Sequence, residues 1–192
     1  MYQYETFESF DGTFMPILAQ FVWMTLSTYT TYTLNREDLT KSDVAVLSQE
    51  DAINNARALP RTLVLIENDG YGIARPTLTN EAPGTNKFQE TGTMAALVQG
   101  NFRLNCCAKT PAEASKLSTM LFEMILFKTR SFASIGLDDV TPLSISKGQS
   151  YQLGGDHVYS LRTIQLTASK TVASVIEAVQ QFTFKNIRIS LI

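Results

Sequence analysis

The chain has 192 residues, 44% hydrophobic and 18% charged, with net charge −2 and one histidine. That length predicts a single buried core, and the near-neutral charge argues against general nucleic-acid binding. The two cysteines are adjacent and cannot bridge each other, since strand neighbours point to opposite faces; with no disulfide framework, a reducing cytoplasm is expected.

A charged fraction below the usual quarter fits a surface partly covered by partners, or long polar loops rich in Thr, Ser, Asn and Gln; both explanations stand. Residues 1–60 carry eight acids and three bases, whereas residues 61–192 carry ten acids and thirteen bases. Halves of opposite sign suit head-to-tail pairing of copies, although counts this small also arise by chance.

In chain order, residues 5–33 read as a long amphipathic helix, continuous or broken near Gly12, with Pro16 suited to a first turn after such a break and Phe14, Ile17/Leu18, Phe21/Val22 and Thr25/Leu26 at helical spacing. The apolar run Phe14 to Leu26 is too short to span a bilayer, and the acids before it exclude a signal peptide, so it reads as a soluble helix. Ser48 to Leu59 predicts a short helix capped by Ser48, with Asp51 at its third position. Thr62 to Ile66 predicts a buried strand, Asn68-Asp69-Gly70 a hairpin turn, and Tyr71 to Arg75 the returning arm. Residues 76–92 hold Pro76, Pro83, Gly84 and Gly92 among polar residues and read as a long loop.

The second half is clearer. Met94 to Ala108 predicts a long strand with a bulge or bend at Gly100, and Thr110-Pro111-Ala112-Glu113 predicts a capped helix start. Leu117, Met120/Leu121, Met124 and Phe127 carry that helix toward residue 132, with Gly136 as its stop. Short and longer strands follow at Thr141–Ser146 and Val158–Ala168, around a polar loop from Gly148 to Gly155. A short helix near Val172–Val179 leads to a last alternating strand, Phe182 to Leu191. The expected fold is therefore α+β: a mixed, mainly antiparallel sheet packed by a central helix (about 110–134) and the long N-terminal helix. We expect one domain over 1–192, with 1–58 as a helical N-terminal extension and 76–92 as a long interaction loop.

The residues suited to chemistry are few. His157 reads as a surface residue at a loop end, and Cys106-Cys107 lacks the spacing of a zinc knuckle or redox pair, so one thiol is expected in the core and one against a partner. Glu67, Asp69, Asp138 and Asp139 lie in no recognisable calcium loop, and no phosphate-binding loop, dinucleotide fingerprint or nucleophile elbow occurs. We therefore expect no catalytic, cofactor-binding or metal-binding residue, no cofactor, and no enzyme activity.

Gly100-Asn-Phe-Arg-Leu-Asn-Cys-Cys-Ala-Lys-Thr-Pro-Ala-Glu-Ala, the helix to Thr129-Arg130, Ile135-Gly136-Leu137 and Thr141-Pro142-Leu143 together resemble tailed-bacteriophage neck and tail-end proteins. These are the tail terminator and head–tail joining (tail-completion) proteins, and the likeness covers roughly residues 94–168. It implies helices on a mixed or antiparallel sheet and a homo-oligomeric ring, usually a hexamer, that ends the tail tube. It implies other neck and tail proteins (tube, sheath or connector) as partners, a place in the virion after assembly in the host cytoplasm, and no membrane. Genomic DNA passing through the lumen would meet basic residues, for which Arg61, Arg75, Lys87 and Arg103 are candidates. The alternatives are another connector or tube-associated structural protein and, outside that class, a small α/β ligand-binding domain or enzyme with 76–92 as a lid.

Overall fold

The computed structural model describes residues 7–79, 92–128, 132, 136–153 and 158–176. The fold is α+β, with helices on a mixed, mostly antiparallel six-stranded sheet. Its elements are α1 (Phe7–Tyr29), β1 (Val44–Ser48), α2 (Gln49–Asn54), β2 (Thr62–Thr79), β3 (Gly92–Ala108), α3 (Pro111–Phe127), β4 (Asp139–Ile145), β5 (Gln149–Gln152) and β6 (Val158–Ile176). Strand order is β1-β2-β3-β6-β4, with β5 also on β6, and only the β1–β2 pair is parallel.

Local chemistry explains the helix starts. Thr110 Oγ1 accepts from the Glu113 N–H while the Glu113 carboxylate accepts from the Thr110 N–H, a reciprocal capping box with Pro111 at the first helical position. α3 then buries Ala114, Leu117, Leu121 and Ile125, one face at helical spacing. Ser48 Oγ accepts from the Asp51 N–H at 3.1 Å, so α2 begins where the sequence placed it. Pro16 lies inside α1 rather than in its first turn, where it removes one ladder donor.

One face of the sheet is covered by α1, which lies on β1 and β2, and α3, which lies on β3, β4 and β6. Val64, Ile66, Phe102, Leu104, Cys106, Ile164 and Leu166 meet the helices in the main core. The alternate residues Leu63, Leu65, Cys107 and Leu161 form a smaller core on the other face with Ala52, Leu153 and Tyr159. Beyond that small core the second face is polar, as in the buried pair Thr163 Oγ1 donating to Asn105 Oδ1 at 2.7 Å.

Several expectations are corrected. Asn68-Asp69-Gly70 is not a hairpin turn, because β2 runs straight through it; Asp69 is the extra residue of a bulge between the pairs Asn68↔Phe102 and Gly70↔Asn101. The Asn68 side chain accepts from the Gly70 N–H at 2.8 Å and Gly70 has φ +132°, so turn chemistry is spent on a kink within a strand. Gly100 is regularly paired with Tyr71 and Ala168 and is not itself a bulge. Of the expected loop 76–92, residues 76–79 and 92 are strand and 80–91 lie outside the described residues. The expected helical extension 1–58 contains β1, which joins the sheet. The expected central helix (about 110–134) ends at Phe127, although Phe132 beyond it is buried and its ring lies 4.1 Å from that of Phe21. Part of the loop at 148–155 forms β5, and residues 172–176 extend β6 instead of forming a helix. The final strand expected over 182–191 lies outside the described residues, as does His157.

Candidate functional site: open edges of the sheet

The three central strands outrun their neighbours. β1 stops opposite Ile66 and β4 stops opposite Ser169, whereas β2 continues to Thr79, β3 begins at Gly92 and β6 continues to Ile176. A three-stranded arm therefore leaves the body. Its seven β6 residues past Ser169 span about 23 Å at about 3.3 Å each. Among the described residues neither outer strand of the arm pairs with a further strand, the arrangement in which a sheet can add a strand from another chain.

The root of this arm is built with care on both faces. On the helix side the rings of Phe14, Tyr71 and Phe102 form a triangle with centroids 5.5–5.8 Å apart. Gly100 lies beneath it; a Cβ there would come within 2.5 Å of the Phe102 ring and 2.8 Å of the Tyr71 ring. On the opposite face Arg103 pairs with Asp69 and, at 3.5 Å, with Glu67, tying the bulged residue back to β3. Where β4 ends, Asp138 Oδ2 accepts from the Thr171 N–H and hydroxyl at 2.5 and 2.6 Å, pinning β6 as it departs.

These contacts engage the four carboxylates singled out from sequence, together with Arg103. Glu67 and Asp69 face Arg103, which is thereby engaged rather than a free cation. Asp138 holds β6, and Asp139 accepts from the Thr141 hydroxyl at 2.8 Å. Arg61 is exposed, the Arg75 side chain is not described, and Lys87 lies outside the described residues. Among the described residues no group of three or more His, Cys, Asp or Glu could hold a metal, and no helix is long and apolar enough to cross a membrane.

Both cysteines are fully buried, Cys106 in the main core and Cys107 in the smaller one, so neither faces a partner as expected. Burial pushes both thiols up, Cys107 to about 12, with the nearby Glu67 charge adding to the shift. An unfolded chain ionises its thiols near about 8.5, so their contribution is undiminished below that pH and stability falls as pH rises from there toward about 12. The urea midpoint should thus drop between about pH 8.5 and 10.5, and less steeply in the Cys106→Ala/Cys107→Ala chain. Equal slopes in the two chains would show that the thiols do not govern this range.

Sequence reading missed the outer edge of β1. The signal was present in Val44-Ala45-Val46-Leu47, a short branched apolar run after Asp43, but it sits between two helical readings. Along that edge runs a groove of two adjoining depressions, about 570 and 410 Å³, which share Pro16, Ala19, Val46 and Leu47. A separate apolar surface lies at the shared end of α1 and α3, where Lys128 sits over the Tyr29 ring and Phe127 is 78% exposed.

No model of a known protein family matches this chain, and no curated protein matches it.

Proposed function

We propose that this chain is a structural subunit of a tailed-bacteriophage virion, which assembles with its own copies into a ring at the tail end or neck. The ring terminates the tail tube and joins it to the head connector. The observation that carries this reading is the three-stranded arm, neither outer strand of which pairs with a further strand among the described residues, since such a sheet suits completion by another chain. A cyclic ring needs two different surfaces on each subunit. The arm and the groove beside β1 lie on different parts of the sheet and meet that requirement. The capped Thr110-Pro-Ala-Glu helix start and the strands around it supply the resemblance to neck proteins. Transient DNA contact in a lumen would fall to residues such as the exposed Arg61, because Arg103 is already paired.

Light scattering after size exclusion tests the reading. A hexamer of this 21.3-kDa chain, six times that mass, should elute at about 128 kDa, and ring particles should be visible by negative-stain microscopy. Val172→Lys/Ser174→Lys, which charges the arm edge, should lower the mass to that of one chain while the circular dichroism spectrum is kept. A chain that remains strictly monomeric at high concentration, or that binds a small ligand as a monomer, would overturn it.

A further inference from the structure

We infer that the ion cluster of Glu67, Asp69 and Arg103 is a catch that sets the direction of the three-stranded arm and is released by rising ionic strength. The inference concerns a single chain and goes beyond the self-assembly proposed above.

The cluster lies where β2 has least support from its own ladder. Asp69 is the extra residue of one bulge and Ala74 that of a second, so residues 70–73 form a short paired run between two irregularities. A bulge bends its strand and adds local twist, and two so close together on one strand decide where the arm points. β3 and β6 pass the same level in unbroken register from Gly92 to Ala108, and form the stiff part against which β2 is bent. Gly70 has φ +132°, and a Cβ built at Gly70 or Gly72 would meet nothing within 4 Å. The backbone beyond the bulge thus lacks the close packing found at Gly100, and its position depends on ties to the neighbouring strand.

Such ties exist on both faces, and they differ in kind. On the helix face Tyr71 packs against Phe102 and Phe14, a contact of rings that salt does not weaken. On the other face a single nitrogen, Nη2 of Arg103, reaches both Asp69 Oδ1 and, at 3.5 Å, Glu67 Oε2. That is not the two-nitrogen fork that makes arginine–carboxylate pairs strong. Arg103 Nε is buried with no hydrogen-bond partner among the described residues, so it adds nothing to the hold.

The side chains of Arg103 and Asp69 are 43% and 36% exposed, so dissolved ions reach the pair. The residue opposite Arg103 on β6 is the neutral Gln165, which brings no further charge to the cluster. Two acids face one base; with Arg103 in place they are bridged, and without it they repel each other across the bulge. Half-exposed pairs of this kind shift an equilibrium by up to about fivefold, and salt screens them. A hold of that size biases the kink and can still be let go, with the aromatic triangle as its pivot.

Hydrogen exchange on the full-length chain tests this. Raising salt from about 20 mM to about 500 mM should speed exchange over residues 69–73 about three- to fivefold. Residues 62–66, in the same strand but inside the body, should change less than about twofold. Arg103→Met should exchange at least about fivefold faster over 69–73 at low salt and should no longer be speeded by salt. The exchanged pair Asp69→Arg/Arg103→Asp still sets one cation against two acids, and should restore both the slow exchange and the salt response. Spin labels at Thr77→Cys and Glu123→Cys, diluted with unlabelled chain, report the direction of the arm, since the native thiols are buried. Their distance distribution should be narrow at low salt, broad at high salt, and broad at both in Arg103→Met. If Arg103→Met does not fold by circular dichroism, Asp69→Asn takes its place with the same expectations. Exchange over 69–73 that ignores salt in the unsubstituted chain, a salt response that survives the substitution, or an unchanging distance distribution would overturn the inference. None of these results bears on ring formation.

Discussion

Phe14→Ala should lower the free energy of unfolding by about 3–5 kcal/mol, the range for emptying a buried aromatic site. Phe14 is fully buried, and its ring lies 5.5 Å from that of Tyr71 and 5.7 Å from that of Phe102. Removing it leaves a void bounded by two rings and the sheet, which cannot collapse without moving α1 off β2. Against a typical total of about 5–15 kcal/mol the loss is large, and it should appear as a lower urea midpoint at unchanged slope. Phe14→Leu fills most of the void and should cost less than half as much. A loss below about 1 kcal/mol for the alanine variant would mean that α1 contributes little to holding the root of the arm.

Gly100→Ala adds one methyl group and should nonetheless cost about 1–3 kcal/mol through overpacking. The new carbon would meet two Phe102 ring atoms at 2.5 and 2.7 Å and one Tyr71 ring atom at 2.8 Å. Phe102 is 1% exposed and its ring stacks on that of Phe14, so moving it away from the new methyl disturbs the core. The distinguishing result comes from the double variant. Gly100→Ala/Tyr71→Ala should cost less than the sum of its parts, with a coupling of about 0.5–3 kcal/mol, because removing the ring makes room for the methyl. Additive costs would show that the clash is not the cause. Since Gly100 pairs with Tyr71 one step beyond the β2 bulge, the same substitution should also tilt the arm and impair assembly more than stability alone explains.

The second half of the chain was the more legible because its signals are local. Thr110, Pro111 and Glu113 announce a helix start through bonds within one turn, and the apolar stripe from Leu117 to Ile125 needs no knowledge of the rest. Asn68-Asp69-Gly70 misled because its chemistry serves both a hairpin and a bulge. Which one forms depends on whether β3 offers partners on both sides of Asp69, a long-range fact. β1 was hidden for a related reason, since five residues carry too short a pattern to compete with flanking helices. The engagement of Arg103 with Glu67 and Asp69, 34 to 36 positions away, follows from the antiparallel register and from nothing nearer in sequence. Along the arm the sequence reads as a hairpin arm at 71–75, a loop at 76–92, the start of a long strand at Met94 and a short helix near 172–179, because Gly and Pro interrupt the β2 run, which the long antiparallel ladders tolerate.

That arm also imposes an order of events on a chain being synthesised. β3 is finished at Ala108, yet its second partner begins only at Val158 and the outermost pair joins Gly92 to Ile176. At about 5–20 residues per second the intervening 49 residues take several seconds, during which one whole side of β3 is open. Chains on the same message would present identical apolar edges to one another throughout that interval. Soluble yield should therefore depend on the spacing of ribosomes along the message as well as on the stability of the finished fold.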